Sequence, residues 1–143
     1  MNAKVVSVNI SIDKGTKKMP VGTGEFLEEH GMKGDAHAGN WHRMVSLLAM
    51  ESIEKIKAKL PEVSPGDFAE NITTEGIDLC HLPIGTKLKV GETIQEVTQI
   101  GKECHHGCEI YHQVGECVMP KEGIFTKILK GGTVKEGDSI EIV

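Results

Sequence analysis

"KLKVGETIQEV", residues Lys87 to Val97, breaks two runs of strand-forming residues at Gly91-Glu92. A glycine there accepts the positive φ that a tight antiparallel turn demands, so the stretch predicts a β-hairpin. The same design returns at "TVKEGDSIEIV" (Thr133 to Val143), with Gly137-Asp138 at its turn, and predicts a second hairpin. Between the two, "GIFTKILKGGTV" adds an alternating strand and a Gly131-Gly132 turn. Near the start, "KVVSVNIS" (Lys4 to Ser11) is rich in β-branched residues and predicts a strand. "IDKGTKKMPV" then turns and passes into a further extended stretch, and "MVSLL" reads as a short apolar strand. One helix interrupts this pattern. In "AMESIEKIKAKL" (Ala49 to Leu60) the residues Met50, Ile53, Ile56 and Leu60 share one helical face, and Pro61 ends the run. "SPGDFAENITTEGIDLCHLPIG" (Ser64 to Gly85) is turn-rich around a short extended core at "AENIT". Many short strands with a single helix predict a mostly-β fold, a closed or partly open β-barrel with one main helix and short helical additions.

Composition narrows the class. The 143 residues suffice for one domain with a real core, taken as residues 1–143. Aromatic residues make up only 3 %, so that core rests on Val, Ile, Leu and Met. A net charge of −5 argues against nucleic acid as a partner. The sequence holds no apolar run near the ~20 residues a membrane span needs, so no membrane partner is expected. "MNAKVVSVNI" lacks the apolar stretch of a signal peptide, and a cytoplasmic location is the expectation. In that compartment the four cysteines are better read as free, catalytic or metal-bound than as disulfides.

Three of those cysteines and three histidines crowd into "TQIGKECHHGCEIYHQVGEC" (Thr98 to Cys117). Cys104-x3-Cys108 with His105, His106, His112 and Cys117 offers enough ligands for tetrahedral zinc, although no second paired knuckle accompanies it. A dithiol redox pair is a second reading, weakened by the absence of Cys-x-x-Cys spacing. A single activated thiol is the third: Cys104 has Lys102, His105 and His106 as basic neighbours, which favour thiolate, while Glu103 opposes them. A buried filler cysteine is the plain alternative to all three. The glycine-punctuated "HGMKGDAHAGNWHR" (His30 to Arg43) reads as a long loop whose His37, His42 and Arg43 offer donors to an anion, or else as a solvated loop. Asn71 in "AENIT" either fixes a polar ligand or caps a turn. Cys80-His81 lies in a turn-rich connection without a spacing signal.

Four ordered stretches, "KGDAHAGNWHRMVSLLAMESI", "PGDFAENITTEGIDL", "LPIGTKLKVGETIQEVTQIGKECH" and "CVMPKEGIFTKILKGGTVKEGDSI", together resemble the MOSC domain, named from the C-terminal part of molybdenum cofactor sulfurase. The resemblance runs from about Lys4 to Val143 and is to stand-alone bacterial members. It implies a compact β-barrel with a deep pocket and one working cysteine, which falls on Cys104. In that reading Cys104 is the catalytic thiol, either carrying sulfur as a persulfide or ligating the molybdenum of a molybdopterin cofactor. Asp35, His37, Arg43 and Asn71 match family positions near the pocket and are the implied cofactor-binding residues, with Cys104. The implied partners are molybdopterin biosynthesis proteins, or a cysteine desulfurase as sulfur donor. Two alternatives stand beside this one: a molybdenum-dependent reductase of N-hydroxylated compounds and a zinc-stabilised binding module. Glu103-Cys104 stands where reductase-type members commonly have Pro-Cys, and "HHGC" and "GECVMP" are similar to a subgroup found with molybdopterin biosynthesis proteins. Whether the protein is an enzyme or a carrier stays open at this level.

Overall fold

A computed structural model describes residues 3–12, 18–36, 38–41, 44–101 and 122–143. In chain order these form β1 (Ala3–Ile10), β2 (Met19–Pro20), β3 (Thr23–Leu27), β4 (Gly31–Met32), β5 (Val45–Ala49), α1 (Met50–Lys57) and β6 (Ile72–Glu75). A 3-10 turn at Leu79–His81 follows, then β7 (Lys87–Val90), β8 (Thr93–Ile100), β9 (Ile124–Lys130), β10 (Gly132–Lys135) and β11 (Ser139–Ile142). Seven strands close a barrel in the order β1-β11-β7-β8-β9-β5-β6, with β6 returning to β1. Closure leaves no open edge within the ring, which solves the exposed-strand problem for a small β fold. A separate sheet, β10-β3-β4, stands beside the barrel.

The first hairpin forms as its sequence predicts: β7 and β8 pair antiparallel around Gly91, whose φ is +55°. The second does not. Gly137 adopts the expected positive φ of +89°, but β10 pairs with β3, while β11 pairs with β7 and β1. The turn bends the chain from one sheet to another, so the two similar stretches play different parts. Gly91 is required twice over, since a Cβ there would collide with the Asp138 carboxylate in the second turn.

β5 is buried along its whole length. Val45, Leu47 and Ala49 join the main apolar cluster with Val5, Val8, Ile72, Leu88 and Ile124, whereas Leu48 joins Ile53 and Ile56 of α1 with Phe68 and Phe125. Successive side chains of a strand face opposite ways, so β5 is a central strand covered on one side by the helix. This explains why four of its five residues are apolar, and α1 supplies the crossover that its parallel pairing with β6 requires. The register between β1 and β6 shifts between Val5 and Ser7. That irregularity changes the phase of β1, so Val8 enters the core while Ser7 and Asn9 are also buried.

Candidate functional site

The five residues singled out from sequence divide into two groups. Cys104, His37 and Arg43 lie outside the described residues. Asp35 and Asn71, 36 positions apart in the chain, are linked through the end of β1: the Ser11 amide donates to the Asp35 carboxylate and the Asn9 amide to the Asn71 carbonyl. Both sit in an internal polar network that also contains Lys18, Ser11, Asn9, Ser46, Glu70 and Thr73, every one of them buried.

Asp35 anchors the loop side. Its Oδ1 accepts from Lys18 Nζ at 2.7 Å and from the Ser11 amide at 3.1 Å. Lys18 Nζ also donates to Ser11 Oγ at 3.1 Å, and the lysine is only 1 % exposed. The Ala36 amide donates to the Ser11 carbonyl at 2.8 Å, and the Ala38 amide to the Asp35 carbonyl at 3.2 Å. Both neighbours of His37 are thereby pinned to the Ser11–Asp35 unit. Gly66 admits the Lys18 backbone, whose amide donates to the Gly66 carbonyl at 2.9 Å; any Cβ at Gly66 would strike the Lys18 carbonyl.

Asn71 anchors the strand side. Its Oδ1 accepts from the Ser46 amide at 3.0 Å and from Ser46 Oγ at 3.2 Å, tying the start of β6 to β5. The Asn71 amide and carbonyl complete the lattice, donating to the Ser46 carbonyl at 2.9 Å and accepting from the Asn9 amide at 2.7 Å. Ala69 precedes this knot at φ +64°, a left-handed conformation that costs a non-glycine residue on the order of 1 kcal/mol. The strain is held in place by the Ala69 amide bond to Gly66 and by Ser46 Oγ, which donates to the Ala69 carbonyl.

The two carboxyls of this network are driven in opposite directions. Burial pushes Asp35 up, but hydrogen bonds from Lys18 and the Ser11 amide, the lysine charge and the Asn71 amide together outweigh it, and the carboxyl sits below its ordinary range. Burial dominates at Glu70 and raises it, although the Gly66 amide and the Thr73 hydroxyl, at 3.1 and 2.7 Å from Oε2, work against the rise. Its Oε1 is a buried oxygen without a hydrogen-bond partner among the described residues. A raised carboxyl holds a proton in the folded state that the unfolded chain has released, so this group lowers stability as pH rises from the ordinary carboxyl range through its folded pKa. Glu70→Gln keeps an acceptor for Gly66 and Thr73 and removes that titration. Urea denaturation at a series of pH values should show the variant gaining on the native protein by about 1.4 kcal/mol per pH unit across this window. Parallel curves for the two proteins would refute the assignment.

A second concentration of polar groups lies on the surface. A cleft of about 370 Å³ is bordered by Ser52 and Lys55 of α1, by Asp78 and Cys80, and by Glu122. Glu122 Oε1 accepts from Ser52 Oγ at 2.6 Å and from Lys55 Nζ at 2.9 Å. Burial alone would raise the Glu122 carboxyl, but these two donors and the lysine charge bring it below its ordinary value. Gly101 and Glu122 bracket the cysteine-rich stretch 102–121, and the Gly101 amide donates to the Gly123 carbonyl at 2.6 Å.

The family model of the MOSC domain matches residues 34–141, more than half of the chain. The chain belongs to the MOSC domain family. Solved structures agree on the fold. YuaD from Bacillus subtilis superposes with a TM-score of 0.81 at 20 % identity, over 99 % of this chain and 96 % of that one. YiiM from Geobacillus stearothermophilus gives 0.74 at 17 % identity, over 99 % and 75 %. YiiM from Escherichia coli gives 0.68 at 22 % identity, over 100 % and 70 %. Among curated proteins, no sequence matches the chain closely enough to count as a relative. The MOSC domain is associated with the molybdenum cofactor, and the barrel here is that fold. Among the described residues no helix is long and apolar enough to cross a membrane.

Several members of the polar network were not singled out from the sequence of this MOSC domain. Lys18 sits in "DKGTKK", where three lysines suggest a solvated turn and nothing distinguishes the buried one. Ser7 and Asn9 carried a usable signal, being polar residues at alternate positions of an otherwise β-branched strand. Glu70 carried another, as an acid in the turn-rich approach to β6.

Proposed function

We propose that this MOSC domain serves the molybdenum cofactor through Cys104, binding molybdopterin or carrying sulfur for it. The observation that supports the reading is the buried network in which Asp35 holds Ser11 while Asn71 holds Asn9 and Ser46, tying the loop flanking His37 through β1 to β5 and β6. β8 ends at Ile100, four residues before Cys104, so the thiol follows a barrel strand. The donor set suits the cofactor chemically. A soft thiolate matches molybdenum or sulfur, Arg43 presents a planar fork to a phosphate, and His37 adds a further donor. Asp35 and Asn71 act in this reading by positioning the loop, since both are buried among the protein's own groups. Bound molybdenum would supply redox chemistry. As a sulfur carrier, the Cys104 thiolate attacks the outer sulfur of a donor persulfide, an S–S bond forms, and the donor's cysteine leaves as thiolate. A cysteine desulfurase or a molybdopterin biosynthesis protein is the proposed donor, and the cytoplasm the proposed location.

Cys104→Ser tests the reading, because serine preserves size while giving a harder, far less acidic ligand. After native purification, retained molybdenum with pterin, or persulfide after incubation with a desulfurase, should fall by at least about tenfold relative to the unaltered protein. Far-ultraviolet circular dichroism should be unchanged. Equal molybdenum, pterin and persulfide in both proteins would sink the proposal.

A further inference from the structure

The 3-10 turn at Leu79–His81 brings together three metal-ligating side chains that the Cys104 reading does not use. With about three residues per turn, positions i and i+3 eclipse, so Asp78 and His81 face each other and Cys80 lies between them. His81 Nδ1 is 2.6 Å from Asp78 Oδ2, Cys80 Sγ is 3.8 Å from His81 Nδ1, and Cys80 Sγ is 3.7 Å from Asp78 Oδ1. One donor atom from each lies within 4.8 Å of the other two. Ligands held at about 2.0–2.3 Å by a tetrahedral ion stand roughly 3.3–3.6 Å apart. The sulfur distances to His81 Nδ1 and to Asp78 Oδ1 are close to that spacing, while His81 meets the other Asp78 oxygen, so either oxygen of the carboxylate is within reach of an ion. The histidine–aspartate hydrogen bond would open by less than about 1 Å to admit an ion.

The surroundings favour a cation. Burial raises the Cys80 thiol first, and the charges of Asp78 and Glu122 raise it further, so the sulfur lies in a negative field. The nearby cation Lys55 is itself engaged with Glu122. Cys80 also borders the cleft of about 370 Å³, which leaves room for water or a small ligand on one side.

We propose that Asp78, Cys80 and His81 bind a divalent transition metal of the zinc class, with a fourth coordination position open to the cleft. A thiolate, an imidazole and a carboxylate form a mixed sulfur, nitrogen and oxygen set, which selects against magnesium and calcium, both oxygen-ligated ions. Three protein ligands with one open position are the arrangement of reactive zinc sites, in contrast to the four-ligand cages of structural ones. Binding displaces the Cys80 proton, so affinity rises with pH.

Cobalt(II) is the probe, because thiolate ligation gives it a near-ultraviolet charge-transfer band. The full chain carrying Cys104→Ser, Cys108→Ser and Cys117→Ser keeps Cys80 as its one thiol, so a thiolate band there reports this site alone. One equivalent of cobalt should produce the band and one equivalent of zinc should abolish it. His81→Ala in this background should weaken cobalt binding by about tenfold or more, since losing a direct ligand costs at least what losing an outer-shell partner does. No band at saturating cobalt, or unchanged affinity in His81→Ala, overturns the site. Should the triple variant fail to fold, peptide mapping of the otherwise unaltered protein tests the same site. Zinc should then protect Cys80 from alkylation in the native chain and not in His81→Ala, and alkylation of Cys80 indifferent to zinc overturns the site. Neither readout depends on Cys104 chemistry.

Discussion

Lys18→Met should destabilise the protein by about 3–5 kcal/mol, the usual loss when one partner of a buried ion pair is removed. Lys18 and Asp35 are 2.7 Å apart, and their side chains are 1 % and 0 % exposed. The pair need not add net stability over an apolar pair, because desolvating two charges consumes most of their attraction. What the substitution does is strand the Asp35 carboxylate without its cation. The neutral double variant Lys18→Met/Asp35→Asn should therefore recover most of the loss, since asparagine still offers the Ser11 amide an acceptor. The pH dependence should weaken as well. In the native protein Asp35 is held below its ordinary value, so its contribution is complete above the unfolded pKa and is lost as pH falls through the folded one. With Lys18 gone, the largest counterweight to burial is lost and the carboxyl moves up, so the variant loses less stability on acidification across the same range. Urea titrations followed by circular dichroism at several pH values measure both effects. A loss under about 1 kcal/mol, with an unchanged pH profile, would place this pair in a far more solvated setting than its burial implies.

The sequence shows the barrel more clearly than the site, and particular residues explain why. β1, β5, α1 and the β7–β8 hairpin each carry their instruction locally, in β-branched runs, a helical stripe or a Gly91 turn. Strand partnership is not local. Thr133 to Val143 looks like Lys87 to Val97, yet β10 leaves for β3, because Val134 packs in the main core beside Phe26 while Ile140 reaches it from β11. No pattern within eleven residues encodes which of two sheets a strand will join.

The site was legible by residue type and only partly by place. Asp35 and Asn71 were expected near one another, and both lie in one buried polar network, joined through Ser11 and Asn9. The family resemblance pointed to these two positions but not to the lysine, serines and asparagine that satisfy them, since burial of a polar residue depends on contacts far away in sequence. Asp78, Cys80 and His81 had no recognisable spacing, and their convergence arises from a 3-10 turn three residues long.

The second large effect is expected at Asn71→Asp, a substitution that hardly changes shape. Asn71 works through both ends of its amide. The oxygen receives the Ser46 amide and hydroxyl, and the nitrogen faces the Asn9 carbonyl at 3.5 Å and Met32 Sδ at 3.9 Å. Aspartate keeps the acceptor for Ser46 but turns a second oxygen toward the Asn9 carbonyl, in the same buried network as Asp35. A carboxylate buried at position 71 beside a carbonyl is costly to ionise, and the Asp35 charge in the same network adds to the cost, so the new group favours a proton. The orphaned acceptors add about 1–3 kcal/mol each, so a total near 3 kcal/mol or more is expected at neutral pH. Acid should restore much of it, because protonating either carboxyl removes the repulsion and supplies a donor. Asn71→Ala separates the two contributions: it leaves the Ser46 amide unpartnered and opens space, but adds no charge, so its loss should be similar in size and nearly independent of pH above about 5. If Asn71→Asp and Asn71→Ala gave the same pH profile, a charge at position 71 would not be felt by the buried network, and the packing of Asn71 between Asn9 and Ser46 would have to be redrawn.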